Sequence, residues 1–187
     1  MSSRAKIAAA AAALGLILAA GWFVARRGGD EPPAGVREMA RSQLELRDGM
    51  LYATGEPEAF GGMLVEHFPG GGRRLAIEIH DGKAHGVSRG WHENGRLEVE
   101  EHFVHGVSHG SRIRWYPNGV RKSEAQIVEG VIEGTFTRWH DNGRKAAVAN
   151  MVHGVPHGVS EAWDASGVRK SRALLEAGEV VSKEFFR

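Results

Sequence analysis

Trp115-Tyr116-Pro117-Asn118-Gly119 is the stretch that decides the fold, because it returns every 24 residues. Trp91 opens W-H-E-N-G, Trp139 opens W-H-D-N-G, and Trp163 opens W-D-A-S-G, where Ser166 takes the Asn position. Glycine keeps the same period at Gly82/Gly86, Gly106/Gly110, Gly130/Gly134 and Gly154/Gly158, and Gly178 begins one more. Self-similarity at a fixed period of this length marks a repeat array, in which each unit buries its apolar surface only by stacking on its neighbours.

Asn-Gly between apolar runs is a hairpin signal, so each unit reads as two strands around an x-N-G turn. The units fall at 82–105, 106–129, 130–153 and 154–177, with a weaker copy at 58–81, a leading strand over 46–57 and an exit strand over 178–187. Alternation selects the loop. A two-residue Asn118-Gly119 loop pairs Trp115 with Lys122 and sets it opposite Ala125 and Ile127. A three-residue loop, Pro117-Asn118-Gly119, pairs Ile113 with Ser123 and puts Trp115, Ala125 and Ile127 on one face. We take the second: a type I turn with glycine in the left-handed position and a bulge, for which Pro117 presets φ. Trp91, Trp115, Trp139 and Trp163 then read as core, with Phe103, Ile127, Met151 and Leu175 at one equivalent position. Gly95, Gly119, Gly143 and Gly167 close the turns.

The amino terminus is different. Ile7 to Ala25 carries no charge over 19 residues, between Arg4/Lys6 and Arg26/Arg27. As a helix it spans about 28 Å, close to the thickness of a bilayer core. Residues 1–27 therefore read as a signal anchor with a transmembrane helix at about 7–25, followed by a linker over 28–45. A cleaved signal peptide is the alternative. The expected location is a bacterial inner membrane, crossed once, with the array in the periplasm; cleavage would leave it secreted or periplasmic.

Composition narrows the function. The formal net charge is +1, without the basic excess of a nucleic-acid binder. There is no cysteine, which removes disulfides, thiolate catalysis and cysteine-ligated zinc. No H-E-x-x-H, G-x-S-x-G or P-loop is present. The sequence therefore points to a protein that is not an enzyme and needs no cofactor or metal.

Two features remain as candidates. Histidines recur at His85, His109 and His157, at His105 and His153, and at His92 and His140. Equivalent positions in neighbouring hairpins lie about 10 Å apart, too far to share an ion. Only His105/His109 and His153/His157 come close, so the histidines read as solvated loop residues. Beyond the turns lie Arg73, Arg74, Arg96, Arg121, Lys122, Arg144, Lys145, Arg169 and Lys170, which read as a basic ladder along the hairpin tips. The ladder is either edge protection or a contact for a protein partner, anionic lipid or glycan.

The W-Y-P-N-G and G-x-x-x-G pattern, with the opening D-G-M-L-Y-A-T-G-E-P-E-A-F-G-G, resembles the bacterial MORN-repeat-variant family, many of whose members are YwqK-like antitoxin-type proteins. The resemblance covers about residues 46–180. It implies an all-β, elongated and twisted antiparallel sheet of 24-residue hairpin repeats, here preceded by one N-terminal hydrophobic helix. The expected function is a membrane-tethered binding or scaffold protein, an envelope interaction module or accessory subunit. The alternatives are an antitoxin-type inhibitor of a partner toxin and a peripheral module binding anionic lipid.

Overall fold

The computed structural model describes residues 35–187. In chain order the strands are β1 (Glu38–Ala40), β2 (Leu44–Arg47), β3 (Met50–Ala53), β4 (Gly62–His67), β5 (Arg73–His80), β6 (Lys83–Trp91) and β7 (Leu97–Val104). They continue with β8 (Val107–Trp115), β9 (Arg121–Val128), β10 (Val131–Trp139), β11 (Lys145–Val152), β12 (Val155–Trp163), β13 (Arg169–Glu176) and β14 (Glu179–Phe185). Two compact units result. The first holds the described residues up to Arg96 together with His102–Val107; the second holds Leu97–Glu101 and Ser108–Arg187.

In the first unit the sheet order is β1-β4-β5-β6, while β2 and β3 form a separate two-stranded sheet. Segment 46–57 thus lies in a hairpin of its own, with Leu46 opposite Leu51. That hairpin supplies Leu44 and Ala53 to a core completed by Phe60, Leu64, Leu75 and Ile79. Phe60 and Leu64 are almost fully enclosed, and such a side chain contributes roughly 1.5–3 kcal/mol.

β1 runs parallel to β4, with Met39 opposite Leu64. This corrects the expected fold class. The protein is all-β, but its sheet is mixed rather than antiparallel. A parallel partner needs a long crossover, and the β2–β3 hairpin with the loop after it provides one. The expected N-terminal helix lies outside the described residues, which hold no α-helix and only a 3₁₀ turn at Arg41–Gln43. No helix among the described residues is long and apolar enough to cross a membrane, and the 7–25 segment lies outside them.

In the second unit β8 to β14 follow one another in sequence order, and every recorded pairing is antiparallel. The two ends of these hairpins turn differently. At one end lie the two-residue turns Glu129-Gly130, His153-Gly154 and Ala177-Gly178. Both residues have positive φ (50 and 82, 52 and 79, 49 and 86 degrees), as a type I′ turn demands. At the other end the loop has three residues: Tyr116 N donates to Val120 O and Gly119 N to Tyr116 O, both at 2.8 Å. Gly119 has φ of 87°, the left-handed position of that loop.

A further bulge follows each three-residue loop. Trp115 pairs with Arg121, but Arg114 pairs with Ser123, leaving Lys122 extra. The same shift recurs after Trp139 and after Trp163. It overturns the expected partner of Ile113, which is Glu124 and not Ser123. A slip of one residue exchanges the faces of a strand. Ala125 and Ile127 therefore share a face with Arg112 and Gly110, while Ile113 and Trp115 lie on the opposite one. Trp115, Trp139 and Trp163 are half-buried, and the buried side chains of this unit are Ser108, Ala125, Ile127 and Met151. In the first unit Trp91 is buried, but it too lies opposite the Leu64/Ile77 face, on the side of Val65 and Ala76.

Candidate interaction surface

The W-x-x-N-G residues are occupied in joining one hairpin to the next. The Asn118 amide donates to Asp141 O and the Asn142 amide to Ala165 O, each at 2.7 Å and each 23 residues on. Their side-chain oxygens accept from Val120 N and Arg144 N within their own turns. Tyr116 Oη donates to Trp139 O, and His140 Nε2 lies 2.9 Å from Trp163 O, a geometry that calls for a proton on that nitrogen. In the last copy Asp164 replaces this bridging. Its carboxylate accepts from Ser166 N, Ser166 Oγ and Val168 N, and the Ser166 hydroxyl above all holds its pKa well below the usual aspartate value against the opposing effect of desolvation.

The basic ladder divides into three registers. Arg121, Lys145 and Arg169 pair with the tryptophans, Lys122 and Lys170 occupy bulges, and Arg96 and Arg144 sit within the turns. Most of these cations have partners in the chain. Arg73 pairs with Glu38, Arg74 with Glu66, Arg121 with Glu124, Arg169 with Glu161 and Lys170 with Asp164. Arg144 reaches the carbonyl of Ser166. The Arg121 guanidinium also lies 5.6 Å from the Trp139 ring centre, beside a shallow depression lined by Val120, Trp139 and Gly143. Lys122 lies 5.4 Å from the Tyr116 ring and Arg169 lies 4.2 Å from Phe186. The tips are therefore mainly a scaffold, stitched by charge and cation–π contact.

The histidines meet partners other than those their spacing suggests. The His85 ring meets those of His105 and His80 in tilted contacts, with ring centres 5.2 and 5.8 Å away. Glu133 accepts from His153 N at 2.7 Å and lies 3.0 Å from His153 Nδ1. The His85–His105 and Glu133–His153 contacts join residues 20 apart, across strands, while His80 and His85 meet across the Asp81-Gly82 turn. Among the described residues no three His, Cys, Asp or Glu side chains are arranged to hold a metal ion.

Two features escaped the sequence reading. The first is a polar inset. Glu101 accepts from both Ser108 Oγ and Arg112, where the next unit has Ala125, Ile132 and Phe136. Arg112 Nε is buried there without a hydrogen-bond partner. The second is an apolar face. Val128 pairs with Val131 and Val152 with Val155 beside the type I′ turns, and Val159 pairs with Leu174. All six lie on the tryptophan side and are 38–46 % exposed. The V-x-G-V recurrence at 128–131 and 152–155 was visible, but it gave no sign of which face would be covered.

Residues 84–105 and 108–128 match the MORN repeat variant family. The two matched segments are neighbouring hairpins, each ending at a type I′ turn. No curated protein matches the chain.

Proposed function

We propose that this chain is a non-catalytic interaction module that binds a protein partner through the exposed tryptophan face of its second unit. The observation that carries this reading is the division of labour within each repeat. The motif residues Asn118, Tyr116, Asn142 and His140 are spent on neighbouring hairpins. The valines at the opposite end of the same strands are displayed on the sheet, 38–46 % exposed. Exposed apolar area of this kind on a polar-rimmed sheet marks an interaction site. The likeness to MORN repeat variants agrees with a binding role and supplies no chemistry of its own. The tip cations are a weaker candidate for the contact, since most are already paired within the chain.

Cross-linking of the tagged full-length protein in cells, with mass spectrometry of the linked peptides, tests this. Links to a partner should fall on strands β9 to β13, and Val128→Glu with Val152→Glu should remove them. Links confined to the tips, or unchanged by the double substitution, would refute the assignment of this face.

A further inference from the structure

We infer that the partner of this face is a second copy of the chain, packed sheet against sheet through strands β9 to β13. The inference rests on the binding reading above and adds the identity of the occupant.

Charge is the first reason. The type I′ end of these strands (126–133, 150–157 and 174–180) carries Glu129, Glu133, Glu176 and Glu179 and no lysine or arginine. The opposite end (115–122, 139–145 and 163–170) carries six cations, Arg121, Lys122, Arg144, Lys145, Arg169 and Lys170, against Asp141 and Asp164, and it stays net positive when Glu124 and Glu161, which pair with Arg121 and Arg169 from just inside it, are counted as well. The face is therefore polarised along its strands. A two-fold axis lying between two such faces and running across the strands brings each acidic end over the other copy's basic end. An axis along the strands would set like on like. The two ends of the face are thus complementary to each other in the first of these orientations, as an isologous interface requires.

Area is the second reason. Five strands at ~4.8 Å and eight residues at ~3.4 Å give a footprint of roughly 650 Å² per copy. Standard stable interfaces bury about 800 Å² per partner, so the face is of the right size once side-chain relief is added. Its side chains suit such packing, since the six exposed aliphatics line the acidic half and the half-buried tryptophans stand towards the basic half. Two sheet faces packed this way lie about 10 Å apart.

The axis passes near the middle of β11, the central strand of the five, where Val148 lies on the tryptophan side between Thr137 and Glu161. Disulfide trapping can read this directly, because the chain has no cysteine. In the full-length protein Val148→Cys should form a covalent dimer under mild oxidation. Ala149→Cys, one residue along on the opposite face, should not. Adding the exposed-site changes Val128→Glu and Val152→Glu should abolish the Val148→Cys dimer and give monomer mass by sedimentation. Raising the ionic strength should weaken dimerisation of the unmodified chain. Trapping of both cysteine variants or of neither, or an unmodified chain that sediments as a monomer, would overturn the inference. If the chain is a monomer yet still cross-links a different protein on this face, self-association fails while the interaction reading stands. If no cross-link of any kind involves this face, both fall.

Discussion

The side-chain amide of Asn118 donates to the main-chain oxygen of Asp141 at 2.7 Å, so the Asn of one turn is a structural part of the next. Its oxygen meanwhile accepts from Val120 N, closing its own turn. This double duty explains why Asn, and not merely a turn former, stands before the glycine. Asn118→Asp keeps the acceptor but aims a carboxylate at a carbonyl. We expect a loss of about 1–2 kcal/mol in urea denaturation, with Asn118→Ala nearer ~1 kcal/mol. An Asp variant as stable as the parent would show that the bridge carries no stability.

Ala177 sits at φ of 49°, where its Cβ is disfavoured, while Gly178 beside it is needed both for φ of 86° and for space. A Cβ on Gly178 would lie 2.8 Å from Val155 Cγ1. Ala177→Asn should therefore stabilise by roughly 0.5–1 kcal/mol, since Asn tolerates the left-handed region. Gly178→Ala should destabilise by more than about 1 kcal/mol. Chemical denaturation midpoints of the two variants check the opposite signs.

The Glu101/Ser108/Arg112 inset should respond asymmetrically. Arg112→Ala removes the cation and leaves the Glu101 carboxylate, whose side chain is 12 % exposed, with only Ser108. A fully buried pair broken this way costs about 3–5 kcal/mol; the partial exposure of Arg112 brings the expectation down to about 2 kcal/mol. Importing the next unit's residues together, Glu101→Ala, Ser108→Ile and Arg112→Phe, should be neutral or stabilising by up to ~2 kcal/mol. Thermal melts of the single and triple variants decide between a stabilising network and a tolerated one.

Asp164 titrates below its ordinary value of 3.8, chiefly through the Ser166 hydroxyl. Its folded pKa is lower than its unfolded one. The contribution to stability is therefore complete above the unfolded value and is lost as pH falls below it. Asp164→Asn should lower the melting temperature at neutral pH and flatten the acid limb of the stability profile. A parallel downward shift at all pH values would instead indicate a loss of packing.

The fold was legible where the sequence repeats and hidden where it does not. Three W-x-x-N-G copies located the hairpins, because Asn and Gly are required by turn geometry and cannot drift. The parallel strand β1 was invisible: three residues, Glu38 to Ala40, are too few to show alternation. The tryptophan face was misjudged for a related reason. The bulge at Lys122 depends on how the chain leaves the turn, and nothing in the identity of Arg121 or Lys122 announces it. Charge alone drew a ladder, but Glu124, Glu161 and Asp164, which pair with its members, lie elsewhere in the strands and turns.

Four of the bridges at the tips have one length in sequence: Tyr116 to Trp139, Asn118 to Asp141, His140 to Trp163 and Asn142 to Ala165 each span 23 residues. A gene of this kind can grow or shrink by whole multiples of 24 codons while every bridge finds an equivalent partner. Inserting a single codon within a strand would put all later bridges out of step with those before it. The array is thus tolerant of large changes in length and intolerant of small ones, so in-frame duplication, not gradual extension, is its natural route to a longer surface.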